Sequence, residues 1–402
     1  MGKEKTNVIL MSLTWSIMNP FGAAVNTYAI LFWESLGADP LIIGIISSAY
    51  LISISFSRLI GGYLADAIGR KKIIVYMTVV YGLSNFILAL AENWFHILIA
   101  QIVIGFSLMY QPAISSLITE SLPKEIRARG IAIAGVTGGF TSFFGPPLAI
   151  LTVNIFGLQN GMRVLYILLA ISAIVSSIIR LKLRETLKNS TKVKLKESIE
   201  YYKNALKEFK SKLITLTIIF SLIASISGIY GTFIQLFSVS YLGISLTEWG
   251  LLVFISQIIG MIGTLLSGYL ADKCGRLYVV FLNTVFITIS YFMLFLTFLS
   301  AFLFVFLATM FIALFNSGPA IEATISERSS EANRGKIFAI FALIRDLLAS
   351  LVILIAGFVY NLSPKNLIIF GLLLSLSIVF VLKIKLNHTL FPSEVVSGKK
   401  VF

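Results

Sequence analysis

Long apolar stretches alternate with short polar breaks along almost the whole chain. A helix of about 20 apolar residues is long enough to cross roughly 30 Å of bilayer hydrocarbon, and it satisfies its own backbone hydrogen bonds there. The pattern therefore predicts an all-α polytopic membrane protein with twelve transmembrane helices. The expected spans are 8–33, 40–64, 73–91, 95–118, 130–154, 163–182, 213–240, 246–270, 277–298, 301–322, 336–360 and 366–385.

The composition indicates that the bilayer is the solvent for most side chains. Hydrophobic residues make up 57% of the 402 residues and charged residues 12%, against roughly 25% charged in an average soluble domain. A single cysteine, Cys274, excludes a disulfide scaffold. Two distant histidines, His96 and His388, argue against a zinc centre. We therefore expect no metal, no cofactor and no catalytic residue, and so no enzyme.

The basic residues predict the orientation of the chain. When the N-terminus is placed in the cytoplasm, the outer loops hold only Arg163 and Lys365 of the 32 lysines and arginines. Arg58 and Arg345 lie inside spans, and the remaining ones lie in inner segments. This distribution predicts cytoplasmic termini in a multi-pass protein of the cell membrane. Basic loops against an anionic leaflet also account for the net charge of +14 without a nucleic-acid partner.

One long polar segment divides the spans into six and six. Between 183 and 212, apolar residues recur at three- or four-residue spacing within a lysine-rich sequence, which predicts an amphipathic helix on the inner membrane surface. The predicted organisation is an N-terminal six-helix half at 1–182, a basic cytoplasmic linker at 183–212, and a C-terminal six-helix half at 213–402 that ends in a short cytoplasmic tail.

The two halves contain matching sequence at a nearly constant offset. Gly62-Tyr63-Leu64-Ala65-Asp66 recurs 206 residues later as Gly268-Tyr269-Leu270-Ala271-Asp272, and Gly69-Arg70 recurs as Gly275-Arg276. Glu120 corresponds to Glu327 at an offset of 207. The repeat predicts two pseudo-symmetric halves around an axis along the membrane normal, with a path between them.

The repeated loop resembles the signature of the major facilitator superfamily, which occurs between helices two and three and again between helices eight and nine. The resemblance implies a transporter that works by alternating access. It also implies that Asp66 faces the start of helix eleven near Gly335, and Asp272 the start of helix five near Gly130, as latches that close the cytoplasmic side when the cavity opens outward. The expected gating residues are Gly62, Asp66, Gly69, Arg70, Gly268, Asp272, Gly275 and Arg276.

Polar side chains inside spans are candidates for the transport path, because each is costly in lipid unless it faces protein or water. Asn19 and Asn26 share one face of the first span, and Gln235 lies on the seventh. The resemblance places both spans beside the central cavity, so we expect these three side chains to line it. Hydrogen bonding between helices is the alternative, and we favour it for the serines on the same faces.

Arg345 and Asp346 lie near the middle of the eleventh span. A charge at a helix centre costs on the order of 2.5–3.5 kcal/mol on insertion scales. Because successive helical residues point about 100° apart, we expect each of the two to have partners elsewhere. A buried carboxylate can carry a proton, so Asp346 is a coupling or substrate candidate, with a structural ion pair as the alternative. We expect Arg58 to extend to the inner interface.

The fifth span carries Gly135, Gly139, Gly145 and Pro146, which resemble part of the glycine–proline signature of the drug:proton antiporter branch. That branch has an arginine in the fourth span where this chain has Gln101, which is kept as a site candidate. The subfamily therefore stays open.

The predicted function is secondary active transport of a small organic solute by a monomer. Proton coupling is expected, and efflux of amphipathic compounds is slightly favoured. The alternative is an uncoupled or metabolite-coupled carrier for a sugar or an organic anion. An ATP-driven pump is excluded because the sequence has no phosphate-binding glycine-rich loop with its lysine.

Overall fold

The computed structural model describes residues 5–123, 127–187, 205–211, 213–330 and 333–390, with the side chains of residues 5, 63, 66, 127–134 and 385–390 left aside. This described part of the chain is almost entirely helical and contains no β-strand. Helices are the expected outcome, since lipid offers the backbone no hydrogen-bond partners.

Six spans form each half. The N-terminal half consists of Lys5–Ser35, Pro40–Ile68, Arg70–Ala89, Trp94–Ser107 with Tyr110–Glu120, and finally Arg127–Ser142 and Gly145–Arg180, which together form the fifth and sixth spans. The C-terminal half consists of Ile214–Gln235 with a π-helix at Leu236–Tyr241, Leu246–Cys274, Arg276–Phe295 with a 3₁₀ turn at Leu296–Phe298, Ala301–Leu314 with Gly318–Arg328, Arg334–Leu362 and Pro364–Leu390.

The described residues contain 11 helical stretches that are long and apolar enough to cross a membrane, and the longest, Gly135–Arg180, holds two crossings. Gly157 has a φ of 75°, outside the helical region. A Cβ built on Gly161 would lie 3.0 Å from the Cα of Val153, although eight residues of straight helix span about 12 Å. The chain therefore reverses at Gly157, and the prediction of twelve crossings is confirmed.

The fourth and tenth spans are both broken near residues that correspond in the repeat, which the sequence analysis did not predict. The second helix of the pair begins at Tyr110 in one half and at Gly318 in the other. The carbonyl of Met109 lies where a Cβ on Gly61 would be. At the equivalent positions, the backbone N–H of Asn316 donates to Ser267 Oγ at 3.1 Å. The second and fourth spans therefore touch at Gly61 in the N-terminal half, and the eighth and tenth spans touch through the hydroxyl of Ser267 in the C-terminal half.

Two turns define one end of the bundle, which we call the motif end. Gly69, with a φ of 108°, and Gly275, with a φ of 95°, join spans two and three and spans eight and nine. Both lie in the left-handed region that only glycine adopts without strain. Gly62, by contrast, has open space around its Cβ position, so it does not serve a close approach between two backbones.

The halves contact each other closely toward the opposite end, which we call the far end. A Cβ on Gly44 of the second span would lie 3.2 Å from the Cα of Gly357 in the eleventh. Ser48 donates to the carbonyl of Ser350 at 2.7 Å, and Tyr28 donates to the carbonyl of Leu246, also at 2.7 Å. Small residues allow this approach of the helix backbones.

The linker is described only at its edges. Residues 205–211 are helical, with Phe209 buried and Leu206 exposed. The carboxylate of Glu208 accepts a hydrogen bond from the backbone N–H of Ser330 at 2.8 Å, which attaches this helix to the loop before the eleventh span. Residues 183–187 are not helical, so the prediction is wrong there. The rest of the predicted amphipathic helix, 188–204 and 212, lies outside the described residues and stays a prediction.

Candidate functional site

A cluster of three charged side chains joins the two halves. Arg58 of the second span donates from Nη1 to Asp346 Oδ2 at 2.8 Å. Arg345 donates from Nε to Asp346 Oδ1 at 2.7 Å. Asp346 is 4% exposed, and the two arginine side chains are 29% and 31% exposed. One buried carboxylate is therefore held by an arginine from each half, and the cluster has a net charge of +1.

One expectation about this cluster was wrong. Arg58 does not extend to the membrane interface, because its guanidinium pairs with Asp346 instead. Asp346 therefore has a partner on another span, as expected, and it also contacts Arg345, whose long side chain folds back onto the carboxylate. The Arg345 guanidinium also lies 5.6 Å from the centre of the Phe341 ring, a cation–π distance.

The N-terminal half contains a cavity of about 640 Å³, which we call the N-cavity. Asn19 lies on its wall, and its side-chain amide donates to the carbonyl of Gly138 at 2.8 Å. Trp15, Tyr110 and Gln111 contribute further wall, and Arg180 lines one side. The wall is therefore mainly apolar, both aliphatic and aromatic, with amide groups and one cation.

Arg180 is wholly buried at the end of the sixth span, with 0% exposure. Its Nε donates to Thr14 Oγ1 at 3.1 Å, and its Nη1 donates to Thr78 Oγ1 at 2.5 Å. The guanidinium lies 5.6 Å from the centre of the Tyr110 ring. Arg180 belongs to the lysines and arginines that were expected in inner segments, and its burial inside the bundle corrects that expectation.

The C-terminal half contains a cavity of about 550 Å³, the C-cavity, whose wall includes Arg345 and Glu322. Two asparagines stabilise the break in the tenth span beside it. Asn283 donates to the carbonyl of Phe315 at 3.0 Å, and the Oδ1 of Asn316 accepts from the backbone N–H of Gly318 at 2.9 Å. The C-cavity is therefore more polar than the N-cavity and contains both signs of charge.

The two cavities occupy corresponding places in the repeat. Met18 and Tyr81 line the N-cavity, and Ala224 and Ile287, each 206 residues later, line the C-cavity. Ile114 and Ile321, which are 207 residues apart, do the same. The repeat therefore builds a cavity in each half at the same level of the bundle, nearer to the motif end.

The arginines of the two signature loops pair within their own halves. Arg70 forms an ion pair with Glu120 at the end of the fourth span, and Arg276 forms the equivalent pair with Glu327 at the end of the tenth. The carboxylate of Glu185 also accepts from the backbone N–H of Arg70 at 3.2 Å. A carboxylate at a helix N-terminus is favourable for the helix dipole, so the start of the third span is held in place.

Comparison with known proteins assigns the family. The sequence model of the Major Facilitator Superfamily matches residues 7–354. The chain belongs to the major facilitator superfamily. This confirms the resemblance found in the sequence, and it makes the chain a transporter and a multi-pass integral membrane protein.

The sequence identity between this chain and individual members of the superfamily is low. An uncharacterised MFS-type transporter of Methanocaldococcus jannaschii is 27% identical over 291 residues, 70% of this chain and 72% of that protein. The minor myo-inositol transporter IolF of Bacillus subtilis is 30% identical over 35% of this chain and 32% of its own length. The quinolone resistance protein NorA of Staphylococcus aureus is 26% identical over 27% of this chain and 29% of its own length.

Among solved structures, the nucleoside transporter NupG, as a D323A mutant, superimposes with a TM-score of 0.75 at 15% identity. The match covers 95% of this chain and 99% of that one. A similarity at this identity shows the superfamily fold alone.

The inter-half latches that the superfamily signature implies stay a prediction. The side chain of Asp66 and the surroundings of Gly130 lie outside the described part. Asp272 and Gly335 are exposed, and a Cβ on Gly335 would meet nothing within 4 Å. Gly268, the counterpart of Gly62, also has open space around its Cβ position.

The remaining polar candidates lie where the first and seventh spans meet or on the fourth. Gln235 is buried, and its amide donates to the backbone carbonyl of Asn26 at 3.1 Å. The side chain of Asn26 is exposed, and that of Gln101 is half-buried. None of the three is among the residues that line the two cavities, so Gln235 and Asn26 join the halves in this arrangement.

The glycines of the fifth span differ from one another. Gly145 packs so closely against the first span that a Cβ on it would lie 2.7 Å from the backbone nitrogen of Ala24. Pro146 is buried beside it, at the start of the helix. Gly135 and Gly139 have open space around their Cβ positions. Of these three glycines, only Gly145 serves close helix packing. Gly138, between Gly135 and Gly139, does so too, since its Cβ would lie 3.0 Å from the Cβ of Trp15.

Sequence reasoning missed the depth of Arg180, although a signal for it exists. Ser172, Ser176 and Ser177 precede it at spacings of eight, four and three, which is one face of a helix. Ser177 donates to the carbonyl of Val75 at 3.0 Å, so this face packs on the third span. When a polar helix face ends in an arginine, the pattern favours a buried position for that arginine over a position in a loop.

Proposed function

We propose that this transporter moves a small organic anion by alternating access, with the Arg58–Asp346 ion pair as the contact that responds to the anion. The observation that carries the proposal is the single buried carboxylate between an arginine of each half. The cluster has one cation in excess, and Arg180 adds another in the N-cavity. Excess positive charge in a low-dielectric interior favours an anionic solute over a cationic one.

The pair connects solute binding to motion because its members belong to different halves. Any rocking that separates the second span from the eleventh at this level breaks the bond between Arg58 and Asp346. An arginine left without its carboxylate is costly when it is largely buried, and an anionic solute can take the place of the carboxylate. A solute that binds the separated state better therefore shifts the population toward that state.

Proton coupling is proposed through the same carboxylate. Protonation removes the charge of Asp346 and with it most of the attraction to Arg58. A proton and an anion would then favour the same separated arrangement, which is the behaviour of a coupled carrier. From the basic loops we also propose that the motif end faces the cytoplasm in the cell membrane, and that one chain is the functional unit.

The test uses purified protein in liposomes that contain a trapped pH dye. Phthalate is the probe, because its two carboxylates slow its passage through the bilayer, and protein-free liposomes give the background. Added phthalate is expected to drive proton movement with the wild-type protein but not with Asp346→Asn. Glu92→Gln, which changes an exposed carboxylate in a loop, is the matched control and should behave like the wild type.

A second candidate function is efflux of amphipathic compounds. The partial similarity to the quinolone resistance protein NorA supports it, as does the mainly apolar wall of the N-cavity. The same liposomes distinguish the two candidates when ethidium, an amphipathic cation, replaces phthalate. Proton movement driven by ethidium and not by phthalate would contradict the anion proposal and support efflux.

A further inference from the structure

We propose that Arg180 makes the N-cavity a binding site for the carboxylate group of an organic acid that also has an aromatic or apolar part. The inference rests on the proposed transport of anions and assigns the anion to a place in the N-terminal half. It differs from the Arg58–Asp346 contact, which responds to the solute without being the site assigned here.

The guanidinium of Arg180 is held but not neutralised. Its described partners are the hydroxyls of Thr14 and Thr78 and the side chain of Tyr110, whose ring and hydroxyl both face it. Its Nη2 has no hydrogen-bond partner among the described residues. Each hydroxyl also donates to a carbonyl of its own helix, Thr14 to Met11 at 3.0 Å and Thr78 to Ile74 at 2.5 Å. The hydroxyls are therefore satisfied without the arginine.

The absence of a carboxylate partner sets Arg180 apart from Arg58 and Arg345, and among the described residues it bonds no backbone carbonyl as Arg163 does. Arg58 and Arg345 share Asp346, whereas no described Asp or Glu side chain forms an ion pair with Arg180. An ionised group buried in the bilayer region is costly unless it is paired, and such residues tend to mark transport paths. An anionic ligand would supply the missing charge.

The walls of the N-cavity fit an organic acid better than an inorganic anion. Trp15, Met18 and Leu169 provide apolar surface, and Gln111 and Ser115 provide exposed polar groups. A cavity of about 640 Å³ lies within the range of small-molecule sites. The Tyr110 ring lies beside the guanidinium, and the charge acts on the cavity at short range through a low-dielectric wall.

The experiment compares two probes of the same shape, benzoate and the neutral benzamide. Binding to the full chain in lipid nanodiscs is measured by calorimetry, so transport is not required. The wild-type protein is expected to bind benzoate at least tenfold more tightly than benzamide. Arg180→Gln is expected to abolish this preference and leave the affinity for benzamide within about twofold, a pattern that general misfolding would not produce.

Two further variants keep the result interpretable if Arg180→Gln does not fold. Ser115→Glu places a carboxylate on the exposed wall, where the serine hydroxyl bonds only its own helix, to the carbonyl of Gln111 at 3.4 Å. It should also abolish the preference for benzoate. Arg180→Lys keeps the charge and should keep most of the preference. Lys365→Gln removes an exposed loop cation and is the matched control.

The outcomes separate this inference from the proposed function. A benzoate preference that persists in both Arg180→Gln and Ser115→Glu would overturn the assignment to the N-cavity. If Arg345→Gln then abolished the preference for benzoate, the anion would bind in the C-cavity. The proposed anion transport would not be contradicted by that result. A wild-type protein without any preference for benzoate would overturn the inference, whereas the phthalate assay decides the proposed function independently.

Discussion

The N-cavity and the C-cavity are built at corresponding positions of one repeat, yet their charged groups differ. Arg180 is surrounded by hydroxyls and an aromatic ring, whereas Arg345 bonds directly to a carboxylate. The repeated features are structural, namely the glycine turns, the Arg–Glu pairs of the loops and the broken spans. The two halves differ in their buried charged residues. We therefore expect solute binding and proton coupling to depend on residues that the repeat does not share.

The largest effect on stability is expected at the contact between the halves. Asp346→Asn leaves two largely buried arginines without their carboxylate. Breaking a buried pair costs roughly 3–5 kcal/mol, and the partial exposure of both arginines reduces this to about 3 kcal/mol. Unfolding of the variant in detergent should show this loss, with Glu92→Gln unchanged. A loss below about 1 kcal/mol would mean that the cluster does not stabilise the joined halves.

The two glycine turns should respond unequally to the same substitution. Alanine at a positive φ with an extended ψ costs about 1–3 kcal/mol, so Gly275→Ala, with open space around it, should lose that amount. Gly69→Ala should lose more, because its Cβ would lie 2.7 Å from Glu185 Oε2, the carboxylate that holds the third span. Thermal unfolding of both variants tests the difference, and equal losses would show that the Glu185 contact is easily displaced.

A smaller effect, of opposite sign, is expected at Arg180. Replacing buried charges with apolar side chains of similar volume is often neutral or stabilising by 1–4 kcal/mol. Arg180→Met should therefore raise the stability of the protein by about 1 kcal/mol, since Thr14 and Thr78 keep their own helix bonds. The matched variant Arg345→Met should not be stabilising, because it removes a bond to Asp346. Destabilisation by Arg180→Met would indicate a structural cation.

The sequence was sufficient for most of the fold, because membrane helices need about 20 apolar residues and each such run is visible. The repeat also identified the Glu120 and Glu327 positions that pair with Arg70 and Arg276. The break in the fourth span was not predicted, although Pro112 and its counterpart Pro319 lie just after the two breaks and a proline inside a helix can interrupt it. The close contact of the break with Gly61 depends on packing that the sequence does not show.

The charged groups were located less well from the sequence. Arg58 and Asp346 are 288 residues apart, and only the packing of the second span on the eleventh brings them together. Arg180 lies at the end of an apolar run, where one helical turn, about 5.4 Å, separates a buried side chain from an interfacial one. Span boundaries read from a sequence are uncertain by several residues, so its depth was not determined by the pattern.

The most direct test of the central claim is a double-mutant cycle on phthalate transport in liposomes, with Arg58→Gln, Asp346→Asn and the combined variant. Residues that act as one unit give losses that do not add. Each single variant is expected to lower the initial rate at least tenfold, and the combined variant should transport no more slowly than either single variant. Losses that multiply in the combined variant would show that Arg58 and Asp346 act independently, and the ion pair would then not be the contact that responds to the anion.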